Sequence, residues 1–516
     1  MLLPSSFLEL IDKGNHWEMI SGQPTLARAE ASFELFWKQY EVLFPNFSFF
    51  ETARRNSIPF KRVCPVYIHG DEGTHFKKSG IMILQWQGVL GAGTSRSVNA
   101  NTTDAQAVNS LGNTLRTRLL VGVMPRAMYS TNGDVLEALF EYLVEDFHKL
   151  STRGQLLKDH ACLWLVPLGM KGDWPFLASA GNLKRTFRNG PKAASAKQAG
   201  GGICHLCRAG QPGYDFEDMS AYPPFMETID EEPPWDREPC FTRVLPRDVA
   251  SPSSYFKPDV WHTVNLGVGR SWVASCVVCL TRNLDELSGL TPEHALQQIS
   301  ASYISFCENS APRKVKYISS ITRATLGWES KIGGTPDGRW SKGSLTTTLA
   351  SWLEYFCREK NLEGGTDERL SLVASGTRAL NAMMKGFYDH DLWLDTPSRN
   401  VILSAGNHYL QASSKLALLS YNLQENLFPI TPKHHMMFHV LKNIQWQGDV
   451  AGLAFNPVSE FCALDEDYVG RLALIARSCS PRKTCVRTIE RYLLLCRAAW
   501  VNDLQLFCRK RGRNGA

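Results

Sequence analysis

Asp71 stands in HGDEG and Asp173 in KGDWP, and each closes a run of β-forming residues, VCPVYIHGD and ACLWLVPLGMKGD. Two carboxylates brought together at neighbouring strand ends repel unless a cation lies between them. Magnesium, or manganese in its place, takes oxygen ligands of this kind. A pair of such ions activates an attacking oxygen and stabilises a leaving one during phosphodiester cleavage. The chemistry needs a third acid, and EDYVGRLALIAR offers Glu466 at a helix start, with Asp467 beside it and Glu460 just upstream. A second set pairs Cys204 and Cys207 of CHLC with His435 and His439 of PKHHMMFHVL. Cysteines at this spacing chelate zinc from one tight turn, and histidines at i and i+4 share a helical face, so the four predict a tetrahedral structural site. His434 is the alternative to His435, at a spacing that fits one face less well. A further CxxC, Cys276 and Cys279, sits in the apolar run WVASCVVCL and reads as core. In FKPDVWHTVNLGVG, Asp259 and His262 are three apart and can pair on a helical turn near the acids. Gly267 and Gly269 lack the third glycine of a dinucleotide fingerprint and predict a helix break.

The elements that would carry these residues follow a definite order. β-rich runs at 63–71, 80–91 and 117–125 come first, the first two close enough for a hairpin. GDVLEALFEYLVEDFHKL then repeats apolar residues at i, i+3, i+4, an amphipathic helix. A near-continuous apolar run at 161–173 reads as a strand buried on both faces. Three strands, a helix and a buried strand predict an α/β chain with a ribonuclease-H-like mixed sheet, in which the first strand lies parallel to the fourth and ligands gather at their carboxyl ends. Beyond residue 256 the pattern is mostly helical and predicts a large helical insertion. The expected divisions are an N-terminal helical segment at 1–60, the first part of the core at 61–200, a zinc-binding and helical insertion at 201–464, and C-terminal helices with a basic tail at 465–516.

Net charge is +6, and from Gly470 onward eleven Lys/Arg face only Glu490 and Asp503, so the basicity belongs to the carboxy-terminal end. Lys184, Arg185, Arg188, Lys192 and Lys197 form a second acid-free cluster. Both suit phosphate neutralisation, with Lys184, Arg185, Arg188, Arg487 and Arg491 as the expected DNA contacts. Hydrophobic residues at 44% and charged residues at 21% argue against fibres and long disorder. No stretch approaches 18 uninterrupted apolar residues, so no membrane partner is expected. The amino terminus lacks a basic n-region ahead of an apolar core, which predicts an intracellular protein. Fourteen cysteines, mostly single and in apolar surroundings, read as reduced.

Taken in order, Asp71 in a first-strand motif, GDWP, CxxC, DxxH, PKxHxxxH and an acid in an E-x-x-x-G helix resemble the DDE transposases of the CACTA, Mirage and Chapaev group, over roughly residues 61 to 500. The resemblance implies a ribonuclease-H-like core with a helical insertion, Mg²⁺-dependent DNA cleavage and strand transfer, structural Zn²⁺, a homodimer and work in the nucleus. By it, Asp71, Asp173 and Glu466 match the catalytic acids, Cys204, Cys207, His435 and His439 the zinc ligands, and Asp259 and His262 the insertion motif. HGDEG departs from the DG-led motif of the CACTA branch, and no amino-terminal module for recognising element ends is visible. The expected function is a transposase-like polynucleotidyl transferase. The alternatives are a domesticated DNA-binding protein without catalysis and a structure-selective nuclease of the same fold.

Overall fold

The computed structural model describes residues 1–516 except 76–78, 98–105, 191–200, 312–314, 316, 329–333 and 514–516, with the backbone alone for 501–513. Lys192 and Lys197 lie outside the described residues. The protein is α/β. In chain order, helix α1 (Leu26–Leu43) precedes strands β1 (Val63–Thr74), β2 (Gly80–Gly88) and β3 (Leu119–Pro125); α2 (Asp134–Thr152) leads to the short β4 (Gln155–Leu156) and to β5 (Cys162–Gly172). These strands form one mixed sheet in the order β3-β2-β1-β5-β4. β1 runs antiparallel to β2 and parallel to β5, and β2 runs antiparallel to β3.

Burial explains why these segments are strands. Val63 to Asp71 is buried at every position, as a central strand covered on both faces must be. On α2, Leu136, Phe140, Leu143, Val144 and Phe147 turn inward as their spacing predicts. Residues 1–60 also cover the sheet: Leu2 N donates to Val121 O at 2.7 Å, and Trp37 Nε1 in α1 donates to Val63 O at 2.8 Å.

Pairing between β1 and β5 ends at Gly70 opposite Gly172. Asp71 and Asp173 therefore leave adjacent parallel strands at the same end. Strand β1 itself continues past Asp71 to Thr74, because β2 goes on pairing with it through Gly80, so Asp71 sits inside a strand rather than at its tip. Helix α3 (Trp174–Ala180) starts at once beyond β5, with Asp173 as its N-cap: Oδ1 accepts from Phe176 N at 2.8 Å. The two glycines make room for this turn. A Cβ on Gly70 would lie 2.2 Å from the Phe176 ring and one on Gly172 2.5 Å from it, so the ring rests directly on the strand ends.

The remaining chain is largely helical. An irregular helical turn, Trp261–Val268, runs into α4 (Gly269–Asn283) through Gly267, whose φ of −133° and ψ of −113° make the expected break. Then come α5 (Gly343–Glu359), α6 (Glu368–Asp389), α7 (Thr396–Asn422) and α8 (Pro432–Ala451), and finally α9 (Ala463–Arg477) and α10 (Thr484–Arg513). The run Trp261–Asn283 is long and apolar enough to cross a bilayer by composition, yet 78% of its most apolar window is buried inside the protein. Cys276 and Cys279 lie in this core helix, both wholly buried. Helix α9 returns to the sheet against the end of β1, where a Cβ on Gly73 would meet Ala473 at 3.0 Å and Val469 at 3.2 Å.

Candidate active site and metal centre

Asp71, Asp173 and Glu466 lie near enough to act on one another's ionisation where β1, β5 and α9 meet, more openly spaced than the 4.8 Å within which the donor atoms of a closed metal cage fall. Asp71 is 8% exposed and hydrogen-bonds with Glu466 from the first turn of α9, while Asp173 adds its charge from β5. Burial first, then the charges of Glu466 and Asp173, push the Asp71 carboxyl well above the usual carboxylate range. Burial likewise raises Asp173, against the opposing pull of its capping bond from Phe176. Glu466 goes the other way: burial opposes its ionisation, but the hydrogen bond and charge of His262 outweigh it and hold the carboxyl down. The environment thus favours the ionised form at Glu466 and disfavours it at Asp71.

His262 reaches Glu466 along a chain of fixed contacts. Its Nε2 lies 3.2 Å from Glu466 Oε1 and its Nδ1 2.5 Å from Asp259 Oδ2. Asp259 is wholly engaged: Oδ1 accepts from Trp261 N at 2.8 Å and from Cys462 N at 3.0 Å, and Oδ2 also accepts from His262 N at 3.1 Å. One carboxylate therefore ties the irregular turn to the residue before α9. Burial alone would depress the His262 imidazole, but its bonds to Asp259 and Glu466 prevail and raise it well above its ordinary value. The pairing expected of Asp259 and His262 is present, and it joins the acids through Glu466.

The other candidates for the third acid point elsewhere. Glu460 is half-buried beside Tyr67, whose hydroxyl donates to it at 3.4 Å, and 3.8 Å from Lys257. Asp467 binds Arg471 at 2.7 Å and accepts from Thr114 at 2.8 Å.

The cysteine and histidine set closes around one point. Cys207 Sγ lies 3.4 Å from His435 Nε2 and 3.3 Å from His439 Nε2, the two imidazole nitrogens are 3.0 Å apart, and with Cys204 all four donor atoms fall within 4.8 Å of one another. Bonds of about 2.3 Å to sulfur and 2.1 Å to nitrogen in a tetrahedron demand donor separations of about 3.4 to 3.8 Å, so this buried cage needs only slight expansion to hold an ion. His434 is not part of it. Its Nδ1 accepts from Thr431 N at 3.1 Å and caps α8, and burial depresses it to about 4.

The expected DNA contacts separate. Arg185 is a correction: it is 2% exposed, and its guanidinium donates to the carbonyls of Cys204, His205, Glu232 and Pro233, where it clamps the CxxC turn and is closed to phosphate. Its position between glycine-rich and proline-rich loops hid that role from a reading of charge alone. Lys184 is exposed and pairs with Asp236 at 2.6 Å. Arg487 pairs with Glu490 at 2.6 Å and Arg491 donates to Ser478 O at 3.0 Å, both on the exposed side of α10. Arg188 is exposed and lines a cleft of about 960 Å³ that also includes Asp173 and His262.

One buried group went unread in the sequence. Asp465, wholly buried beside Glu466, faces Lys171 Nζ at 3.0 Å and Arg118 Nε at 3.2 Å, and accepts from Gln85 Nε2 at 2.8 Å. Gln85 Nε2 also lies 3.0 Å from His69 Nδ1. His69, Cys462 and Asp465 cluster closely enough to suggest a metal, but two cations already neutralise the one acid there. The available signal was Lys171, a charge inside the otherwise apolar run of β5. No protein-family model and no curated protein is matched by the chain.

Proposed function

We propose that this protein is a Mg²⁺-dependent DNA-cleaving and strand-joining enzyme with a ribonuclease-H-like core, of the transposase type, acting through Asp71, Asp173 and Glu466. The observation that carries the proposal is the parallel register of Gly70 with Gly172, which leaves the buried Asp71 and the half-buried Asp173 at the same end of adjacent strands, with a third acid from α9. A buried acid such as Asp71, whose proton affinity is raised by burial and by the acids beside it, is a poor structural device and suits a divalent-cation site. The donor set is all oxygen, which suits Mg²⁺ or Mn²⁺. When bound there, such an ion supplies Lewis-acid stabilisation of charge on phosphoryl oxygens.

The side chains have separate tasks. Asp71 and Asp173 would hold the cation, Asp173 through the oxygen not used in capping α3. Asp259 fixes the tautomer and direction of His262, whose Nε2 holds Glu466 toward the other two acids. The Cys204, Cys207, His435 and His439 cage would hold Zn²⁺ and pin α8 to the CxxC turn; sulfur and imidazole donors favour zinc over magnesium.

Purified protein incubated with duplex DNA and Mg²⁺ is expected to give nicked and joined products that vanish with Asp173→Asn. Elemental analysis is expected to find about one zinc per chain, lost in Cys204→Ser. A second reading, a DNA-binding protein without catalysis, is favoured by one contact: His262 already neutralises Glu466. DNA binding with no products under any divalent cation would select it.

A further inference from the structure

The cleft beside the acids has a composition that phosphate binding does not explain. Its volume of about 960 Å³ is at the upper end of the range of about 300 to 1,000 Å³ typical of ligand pockets. Asp173 and His262 belong both to its wall and to the acid site, so the cleft borders that site. Trp174, directly after Asp173, and Phe187 form one wall, their rings 6.1 Å apart and nearly edge to face; Pro429, Pro432 and Met436 contribute apolar surface at the approach to α8. Phe187 is half-buried, so part of its ring is accessible. Three cations, Arg188, Arg270 and Lys433, stand among the lining residues with three carboxylates, Asp173, Glu217 and Asp337. Two of those cations are occupied locally: Lys433 donates to the carbonyls of His262 at 2.7 Å and Leu266 at 3.0 Å, and Arg270 to that of Asp337 at 3.0 Å. Arg188 is exposed and makes no ion pair among the described residues.

We infer that this cleft receives unpaired nucleotides of the DNA strand leaving the acid site, an assignment that rests on the DNA-processing reading above. A duplex offers a protein phosphates and base edges, because its bases already stack on each other. Neither matches a wall of aromatic, proline and methionine side chains with balanced charge. Unpaired bases do match it, since each has an apolar π-face that stacks on an aromatic ring whatever its sequence. Arg188 is then available to one backbone phosphate at the rim. The ligand class is single-stranded DNA of any sequence, and the contact is stacking first and charge second.

The test is fluorescence anisotropy of full-length protein with labelled duplexes, blunt or carrying a short unpaired 5′ or 3′ tail, in Ca²⁺ and across a salt series, alongside Mg²⁺ cleavage of the same duplexes. One tail polarity is expected to tighten binding about tenfold per stacked base. The tailed-to-blunt ratio should change little with salt while blunt binding weakens steeply. It should fall to about one in Phe187→Ala and recover in Phe187→Tyr, which keeps a ring in place and separates stacking from folding. Arg188→Ala should lower it by a few-fold. Cleavage of blunt and tailed DNA with equal efficiency and equal binding would overturn the cleft assignment and leave the proposed function standing. A tail effect without cleavage under any divalent cation would contradict the proposed function and keep the cleft. A mononucleotide that competes as well as the tail would make this a free-nucleotide site and overturn the strand assignment.

Discussion

The same three elements carry two sets of charged groups with opposite characters. β1 bears His69 and then Asp71, β5 bears Lys171 with Asp173 just past its end, and α9 bears Asp465 and then Glu466. In the inner set the one acid is fully compensated: Asp465 meets Lys171 and Arg118, and Gln85 bridges Asp465 to His69. The outer set is not, since of its three carboxylates only Glu466 has an ion-pair partner among the described residues, and that partner, His262, is shared with Asp259. The inner set registers α9 against the two strands, and that register brings Glu466 beside Asp71. What is compensated serves position, and what is left uncompensated is open to a cation.

Breaking the inner set should have the largest effect. Lys171→Met leaves Asp465 with one cation in a dry interior and is expected to cost about 3 kcal/mol of stability in denaturant titration. Asp465→Leu alone should cost at least as much, because it leaves both Lys171 and Arg118 buried without their carboxylate. Breaking the outer set should do the reverse. Asp71→Asn removes a repelled acid and is expected to stabilise the metal-free protein at neutral pH by on the order of 1 kcal/mol while abolishing cleavage.

The same contrast gives a pH dependence. A carboxyl raised by folding binds more protons in the native than in the unfolded state, so stability falls as pH rises from the unfolded value of about 4 through the folded one. Asp71 and Asp173 should impose that fall on the metal-free protein, and Asp71→Asn should flatten it. Asp465 has the opposite sign: burial opposes its charge, but Lys171 and Arg118 hold its carboxyl far down, so its contribution is present above about pH 4 and is lost as pH drops. Thermal melts across pH, with and without Mg²⁺, separate the two. The smallest effect belongs to exposed charges: Arg487→Ala with Arg491→Ala should reduce the salt slope of DNA binding by about one unit or less, because both side chains already have partners.

What could be read before folding was whatever lay in short spacing or strand order. CxxC with HxxxH named the four cage residues because a turn and a helical face are local geometry. Asp71 and Asp173 followed from strands whose apolar continuity marks a central position. The choice of Glu466 over Glu460 and Asp467 depended on the rotation of α9 and on His262, neither of which is local. Arg185 looked like its basic neighbours, and only the packing of the CxxC turn around it showed that its donors are used. The inner network was hidden for the same reason: Arg118, Gln85 and Asp465 acquire their meaning from one another across the sheet.

Divalent-cation binding by the acids tests the central claim most directly. Mn²⁺ titration followed by electron paramagnetic resonance on the DNA-free protein is expected to show saturable binding that is lost in Asp71→Asn and Asp173→Asn, weakened in Glu466→Gln and retained in Glu460→Gln, whose carboxyl lies with Tyr67 and Lys257. Mn²⁺ bound equally by wild type and Asp173→Asn would contradict it.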